Sequence, residues 1–323
     1  MRVLSGIQPT GQLHIGNYLS AIKQWLDLQQ NNETIFLIVD LHTITLPYDF
    51  KNFQKTIFET ATEYLACGLD PEKSIILIQS SVREHTELCW LLNSVVPVTE
   101  LFRMTQYKDK SKKYNKENIS AGLLNYPILM AADILLYQTD IVPVGQDQKQ
   151  HVEFARMIAR KFNRRFDKTF IEPKPFILKS GAKIMSLNNP KKKMSKSSPE
   201  SCLFLFDEPK IIKKKIMSAV TDTGKAVKFD IKKKPGISNL LTIYSLIADI
   251  EIKELEKKFK NKGYAEFKKS LAKVLIEKIE PLSKKKKELL NRETFVEDIL
   301  EKGAKRARIF AQSSMKDIRA KMG

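Results

Sequence analysis

Four groups of residues combine types and spacings that suit chemistry. The first lies in Val3–Asn17, where Gly6, Gly11 and Gly16 flank Pro9, and Thr10 stands four residues before His14. Glycines at that density let a backbone approach another group closely. The helix start after them would offer free N–H groups and a positive dipole end to an anion. His14 can donate to a phosphate oxygen, or it can simply cap the helix, and the spacing leaves both open. The second group is the basic loop Pro190–Ser197, whose only apolar member is Met194; by charge it fits a nucleic-acid patch or a solvated linker. The third is Gly145-Gln146-Asp147-Gln148, directly after the apolar run Ile141–Val144. Asp147 there could accept from ribose hydroxyls or hold a substrate cation. The fourth is Asp133, inside the run ILMAADILLY. A carboxylate in such surroundings is costly without a donor, which is either a partner within the chain, such as a buried arginine or tyrosine, or a ligand N–H.

The elements that must position these groups alternate. Val3 and Leu4 end a strand, and apolar residues at helical spacing follow over Tyr18–Gln29. Strands Thr34–Val39 and Ser74–Ile78 then interleave with helices Phe50–Cys67, closed by Gly68, and Glu84–Val96, closed by Pro97. Alternation of this kind predicts a parallel α/β sheet with right-handed crossovers. Such sheets bind ligands beyond the carboxyl ends of their strands, where the glycine loop begins. No Gly-x-Gly-x-x-Gly and no Walker-type Gly-Lys-Ser occurs, which disfavours a dinucleotide or P-loop enzyme. Thr99–Ser120 carries Arg103, Lys108, Lys110, Lys112, Lys113 and Lys116 without steady periodicity; it reads as a solvated loop, or as a cover bringing lysines to phosphate. A buried helix follows with Pro127 in its first turn, then strand Asp140–Val144, a helix to about Phe162, and a hairpin over Phe176–Leu187 turning at Ser180-Gly181. Beyond a boundary near 198–207 only helices are expected: Glu208–Val220, Ile237–Ile247, Ile252–Lys260, Tyr264–Ile279, Leu282–Leu290, Glu293–Leu300 and Gly303–Met322.

A length of 323 residues accommodates two domains, and 42% hydrophobic with 29% charged residues is the balance of a globular protein. The net charge of +19 is uneven: residues 1–200 hold 26 basic and 20 acidic side chains, residues 201–323 hold 30 and 17. That excess favours a polyanionic partner; the alternative is a lysine bias spread over solvated helix faces. No run is long enough to span a membrane, and the N-terminus enters a strand with no signal peptide. Cys67, Cys89 and Cys202 are scattered, as small buried hydrophobes of a reducing cytoplasm would be.

His14-Ile15-Gly16-Asn17 resembles His-Ile-Gly-His, the first signature of class I aminoacyl-tRNA synthetases. Asparagine at the second histidine, followed by Tyr18, resembles the tryptophanyl branch. Lys193-Met194-Ser195-Lys196-Ser197 agrees with the second signature at every position, although Ser198-Pro199 stands where many relatives have Asp-Pro. Gly145–Gln148, Ser218–Asp222 and Lys234–Asn239 extend the resemblance over nearly the whole chain. It implies a Rossmann-like catalytic domain over 1–200, with a basic insertion at about 99–120. An all-helical anticodon-binding domain would follow over 201–323, with the last helix packing back on the first domain. It also implies tryptophan activation by ATP, Mg²⁺ carried on the ATP phosphates rather than in a protein metal site, transfer to tRNA(Trp), a homodimer and a cytoplasmic location.

By the same resemblance Gln8, Pro9, Thr10, Gly16, Asn17, Gly145, Gln146, Asp147, Ile184, Lys193, Met194, Ser195, Lys196 and Ser197 hold ATP. Thr10, His14, Lys193, Lys196 and one of Lys112 or Lys113 are the catalytic donors. Tryptophan falls to Leu4, Val39, His42, Tyr126, Met130, Asp133, Val142 and Gln148. Met130 and Asp133 are three apart, hence on one helix face; Asp133 would accept the indole N–H, where tyrosine enzymes of this fold place a glutamine at the Met130 position. The rivals are a tyrosine ligase on the same fold, a nucleotidyltransferase acting on a small metabolite, and a non-catalytic RNA-binding protein.

Overall fold

The computed structural model describes residues 1–111, 119–177, 183–196 and 198–323. The chain opens with β1 (Arg2–Ile7), then α1 (Ile15–Asn17), a π-helical stretch over Tyr18–Ile22 and α2 (Lys23–Leu28), which follow one another directly. There follow β2 (Glu33–Ile38), α3 (Asp40–Thr43), α4 (Phe53–Ala66), β3 (Ser74–Ile78), α5 (Glu84–Asn93), α6 (Val98–Phe102), α7 (Thr105–Ser111), α8 (Ala121–Leu136), β4 (Ile141–Pro143), α9 (Lys149–Arg165) and β5 (Lys174–Phe176). The second stretch is helical: α10 (Pro209–Ser218), α11 (Pro235–Ala248), α12 (Ile252–Lys258), α13 (Tyr264–Leu290) and α14 (Glu293–Met322).

All five strands are parallel, in the order β3-β2-β1-β4-β5. The chain steps outward from β1 through β2 to β3, then returns to the other side of β1 with β4. The strand order therefore reverses between β1 and β4, and the crevice above their carboxyl ends is the binding place of such a sheet. The Gln8–His14 loop leaves β1 there and Gly145–Gln148 leaves β4 there.

Successive residues of β2 face opposite sides. Phe36 and Ile38 enter one core with Trp25, Tyr64, Leu205, Leu241 and Phe267. Ile35 and Leu37 enter another with Leu88, Ala132, Ile158 and Ala311. The first core runs without interruption into α10–α13, so the stretch 198–207 is no exposed linker: Cys202, Leu203 and Leu205 are fully buried. Two backbone bonds tie it to the glycine loop, from Ile15 N to the Leu203 carbonyl and from Leu205 N to the Leu13 carbonyl, each 2.8 Å. α14 lies along β3 and α5.

The structure corrects five of the local readings. Thr99–Ser120 is not all loop: α6 and α7 occupy part of it, because Leu101 and Met104 reach the core beside α8 and Gln150 caps Thr105 through its N–H (3.1 Å) and hydroxyl (2.7 Å). Lys112, Lys113 and Lys116 lie outside the described residues. Pro127 falls inside α8 rather than in its first turn, since Ser120 is the cap and its hydroxyl accepts the Leu123 N–H at 3.1 Å. Phe176 ends parallel strand β5, and Met185 pairs antiparallel with Lys193; the turn expected at Ser180-Gly181 lies outside the described residues. α13 runs through Pro281 unbroken, because its buried face continues from Ile279 to Lys286 and Leu289. α14 likewise runs through Gly303. A Cβ there would sit 1.9 Å from the Ile76 carbonyl, so this glycine is the notch by which α14 rests on β3.

Candidate active site

After β1 the chain needs backbone freedom at one point, Gly11, whose φ of +95° is left-handed. The loop is then held from below. Leu13 N donates to a Glu63 carboxylate oxygen at 3.0 Å, and the other Glu63 oxygen accepts from Lys286 Nζ at 2.6 Å. Burial pushes Glu63 up, while Lys286 and the Leu13 N–H oppose it. His14 does cap α1. Its Nδ1 accepts the Asn17 N–H at 3.2 Å, and Asn17 Oδ1 accepts the His14 N–H at 3.1 Å. The asparagine that departs from the family's usual histidine thus closes a reciprocal cap.

Capping and chemistry do not exclude each other. Burial first, then the Lys196 and Lys193 ammonium groups, lower His14 from 6.5 to about 4. The imidazole is neutral at pH 7, and with Nδ1 accepting, its proton sits on Nε2. Gly16 leaves room for this ring: a Cβ would come within 2.9 Å of Nδ1.

The basic loop is docked onto the first one. Ser186 N donates to the Lys192 carbonyl (2.9 Å) and Met194 N to the Ile184 carbonyl (3.0 Å). Met194 is buried in the core, so its side chain anchors the loop. Lys196 Nζ donates to the Gly11 carbonyl at 2.7 Å and reaches Thr10 Oγ1 at 3.5 Å. Burial lowers Lys196, opposed by the Glu63 charge. Ser197 lies outside the described residues, and Ser195 is exposed.

These loops border a cleft of about 780 Å³ lined by His14, Gly16, Asn17, Gly145, Gln146, Asp147, Gln148, Ile184 and Lys193. Pro9, Thr10, Met194, Ser195 and Lys196 flank it without being part of that wall. Sequence reading missed Gln24 on α2 and Ser245 and Leu246 on α11, which also line it; single residues inside helices carry no motif.

A second cavity of about 320 Å³ adjoins it and shares Ala21, Pro143, Val144, Gly145 and Gln148 as a common wall. Leu4, Val39, His42, Tyr126, Met130, Asp133, Val142 and Gln148 all line this smaller cavity, as do Gln8, Trp25 and Gln106. Gln106 was missed because its segment read as loop. Asp133 is held from behind by three donors: Oδ1 accepts Gln79 Nε2 (2.7 Å) and His85 Nδ1 (2.7 Å), and Oδ2 accepts His42 Nε2 (2.8 Å). The carboxylate thus has dedicated partners within the chain, and they are two histidines and a glutamine rather than an arginine or tyrosine. Tyr137 enters one step further, its hydroxyl 2.8 Å from His85 Nε2. Burial raises the Asp133 carboxyl, but the bonds and charges of His42 and His85 more than offset it and hold the group well below the usual range. Oδ2, with one donor, keeps a lone pair for a ligand N–H. Gln79 stands at the carboxyl end of β3, a position that could have flagged it.

A glycine loop and a basic loop around a neutral imidazole, beside an apolar slot with one ionised acceptor, can hold a triphosphate against a flat N–H-bearing side chain. Comparison with known proteins agrees with this geometry. The family model of tRNA synthetases class I (W and Y) matches residues 1–280. A tryptophan–tRNA ligase of Caldanaerobacter subterraneus subsp. tengcongensis is 50% identical over all of this chain and 98% of that protein. The tryptophanyl-tRNA synthetase of Mycoplasma pneumoniae superposes with a TM-score of 0.91 at 33% identity, over 100% of this chain and 97% of that one. That of Campylobacter jejuni, complexed with ADP and tryptophan, gives 0.86 at 37% identity over the whole of both chains. Matched in sequence over its full length and in fold throughout, the chain belongs to the class I tRNA synthetases of the tryptophan and tyrosine (W and Y) family.

Proposed function

We propose that the chain is a tryptophan–tRNA ligase that forms tryptophanyl-adenylate and pyrophosphate from L-tryptophan and ATP, then transfers tryptophan to tRNA(Trp). The observation that carries this reading is the wall shared by the two cavities. An amino acid seated on Asp133 would present its carboxylate across Gly145 and Gln148 to a nucleotide lying between His14 and Lys193. The carboxylate attacks the α-phosphate and pyrophosphate leaves; the terminal ribose hydroxyl of the tRNA later displaces AMP. Catalysis then consists of positioning and of donors placed where charge develops. His14 Nε2–H, Thr10, Lys193 and Lys196 are those donors, and Asp147 is placed to accept from the ribose. Mg²⁺ would supply charge neutralisation on the phosphates; among the described residues no His/Cys/Asp/Glu cluster of three forms a protein cage for it.

The test is ATP–pyrophosphate exchange with each of the twenty amino acids and no tRNA. Exchange with tryptophan alone is expected; exchange with tyrosine would favour the rival ligase, and none at all would end the enzyme reading. The state of His14 adds a pH expectation. Because the imidazole of the free protein is neutral down to about pH 4, kcat/KM for exchange should show no acid limb centred near 6.5. His14→Asn should lower the rate and leave the profile's shape unchanged. A limb near 6.5 that vanishes in the variant would contradict this assignment.

Residues 201–323, with their 30 basic and 17 acidic side chains, are the proposed tRNA-binding part. Lys210, Lys213, Lys214, Lys257, Lys258, Lys284, Lys285 and Lys287 are exposed on α10, α12 and α13. Binding of tRNA should therefore weaken steeply with salt as counterions are released. Charge reversal at Lys284, Lys285 and Lys287 should flatten that dependence while tryptophan activation persists; a salt-insensitive affinity would remove the lysines from the interface. A homodimer in the cytoplasm belongs to the same proposal; no helix among the described residues is long and apolar enough to cross a membrane.

A further inference from the structure

We infer that Asn239, on α11 in the helical half, is a positioning residue that sets the placement of Lys193 in the basic loop by clamping the backbone of Met185. The short strap 184–187 has two working edges. On one edge Ser186 N and the Ile184 carbonyl bond to the Lys192 carbonyl and Met194 N, at 2.9 and 3.0 Å, so Met185 faces Lys193 across an antiparallel bridge. In such a pair the N–H and C=O of Met185 itself point away from Lys193. Both are taken by a single side chain: Met185 N donates to Asn239 Oδ1 at 2.8 Å and Asn239 Nδ2 donates to the Met185 carbonyl at 2.9 Å.

The amide thus replaces a neighbouring strand. It is 6% exposed, and its removal would leave two backbone groups without their partners. The helix that carries it is itself registered against the strap. A Cβ at Gly236 would lie 2.2 Å from the Val220 carbonyl, and Val220 N donates to the Leu187 carbonyl at 2.9 Å. Lys268 of α13 in turn donates to the Ala219 carbonyl at 2.6 Å. A displacement of α11 is therefore delivered to Lys193 through the short Asn239 amide and the Met185 backbone, while one of α13 reaches the Ala219–Val220 backbone through Lys268.

The inference rests on the proposed ligase activity, and the experiment separates the two. Asn239→Ala and the near-isosteric Asn239→Asp are compared with wild type in single-turnover adenylate formation, tryptophan binding and thermal melting. Expected are a loss of about tenfold in the rate of adenylate formation, the scale of a catalytic group misplaced by a fraction of an ångström, and unchanged tryptophan Kd in whichever variant melts above the assay temperature. The decisive arm is the cycle with Lys193→Ala. If Asn239 acts through Lys193, the double variant should lose far less than the product of the single losses. Multiplicative losses, or a fall in melting temperature with normal rates, would make Asn239 merely structural, and failure of both variants to fold would overturn the proposal as well. Absence of exchange in the wild type would instead sink the ligase reading.

Discussion

Lys196→Ala should slow adenylate formation by roughly a hundredfold or more, the scale seen when one preorganised donor to a transition-state charge is removed. In the structure its ammonium is half-buried and held by neutral oxygens, the Gly11 carbonyl at 2.7 Å and Thr10 at 3.5 Å. Burial already weakens its hold on the proton. A triphosphate that brings negative charge to this place relieves that penalty, and relieves it most as charge builds on the leaving pyrophosphate. The loss should therefore fall on kcat in single-turnover measurements. Tryptophan Kd should barely move, since Lys196 does not line the amino acid cavity. A variant whose main defect is weakened tryptophan binding would be incompatible with this role.

Asp133 is the second large expectation. Asp133→Ala should raise tryptophan KM by at least about tenfold, from the 1–3 kcal/mol or more lost when a buried acceptor required by a substrate donor is removed. The structure adds a complication that sequence could not supply. The same carboxylate satisfies Gln79, His42 and His85, so the alanine variant also strands three buried donors. Asp133→Asn keeps the shape and, with its amide oxygen turned to Gln79 and His85, puts an NH2 group only where one oxygen faced His42, so it is the cleaner probe. Both should narrow the discrimination against phenylalanine and leave ATP binding near normal. If tryptophan selectivity survives in Asp133→Asn, the indole acceptor lies elsewhere and the carboxylate serves only its histidines. Asp133 also links stability to pH. The folded-state pKa lies below the ordinary 3.8, so the carboxylate stabilises the fold above that pH and the contribution is lost as pH falls below it.

Much of the site is legible in the sequence because it is built from local contacts. The capping pair His14 and Asn17 lies three residues apart, Gly11 answers its own backbone angle, and Met194 anchors a loop whose other members are polar. Alternation of apolar runs likewise determines that the sheet is parallel, since periodicity is a property of neighbours along the chain. Strand order is not such a property. Only the fold places β4 beside β1, so that Gly145–Gln148 meets the glycine loop and the two cavities share a wall. His42 and His85 reach Asp133 from 91 and 48 residues away, and Lys286 reaches Glu63 from 223. Each is a single polar residue in ordinary surroundings, with no spacing to mark it. Pro281 and Gly303 show the same limit from the other side. Both are local signals to stop a helix, and both are overridden by a continuous buried face or a backbone pressed against Ile76. Local rules act over a few residues, whereas burial and pairing across the core depend on which surfaces the folded chain brings together.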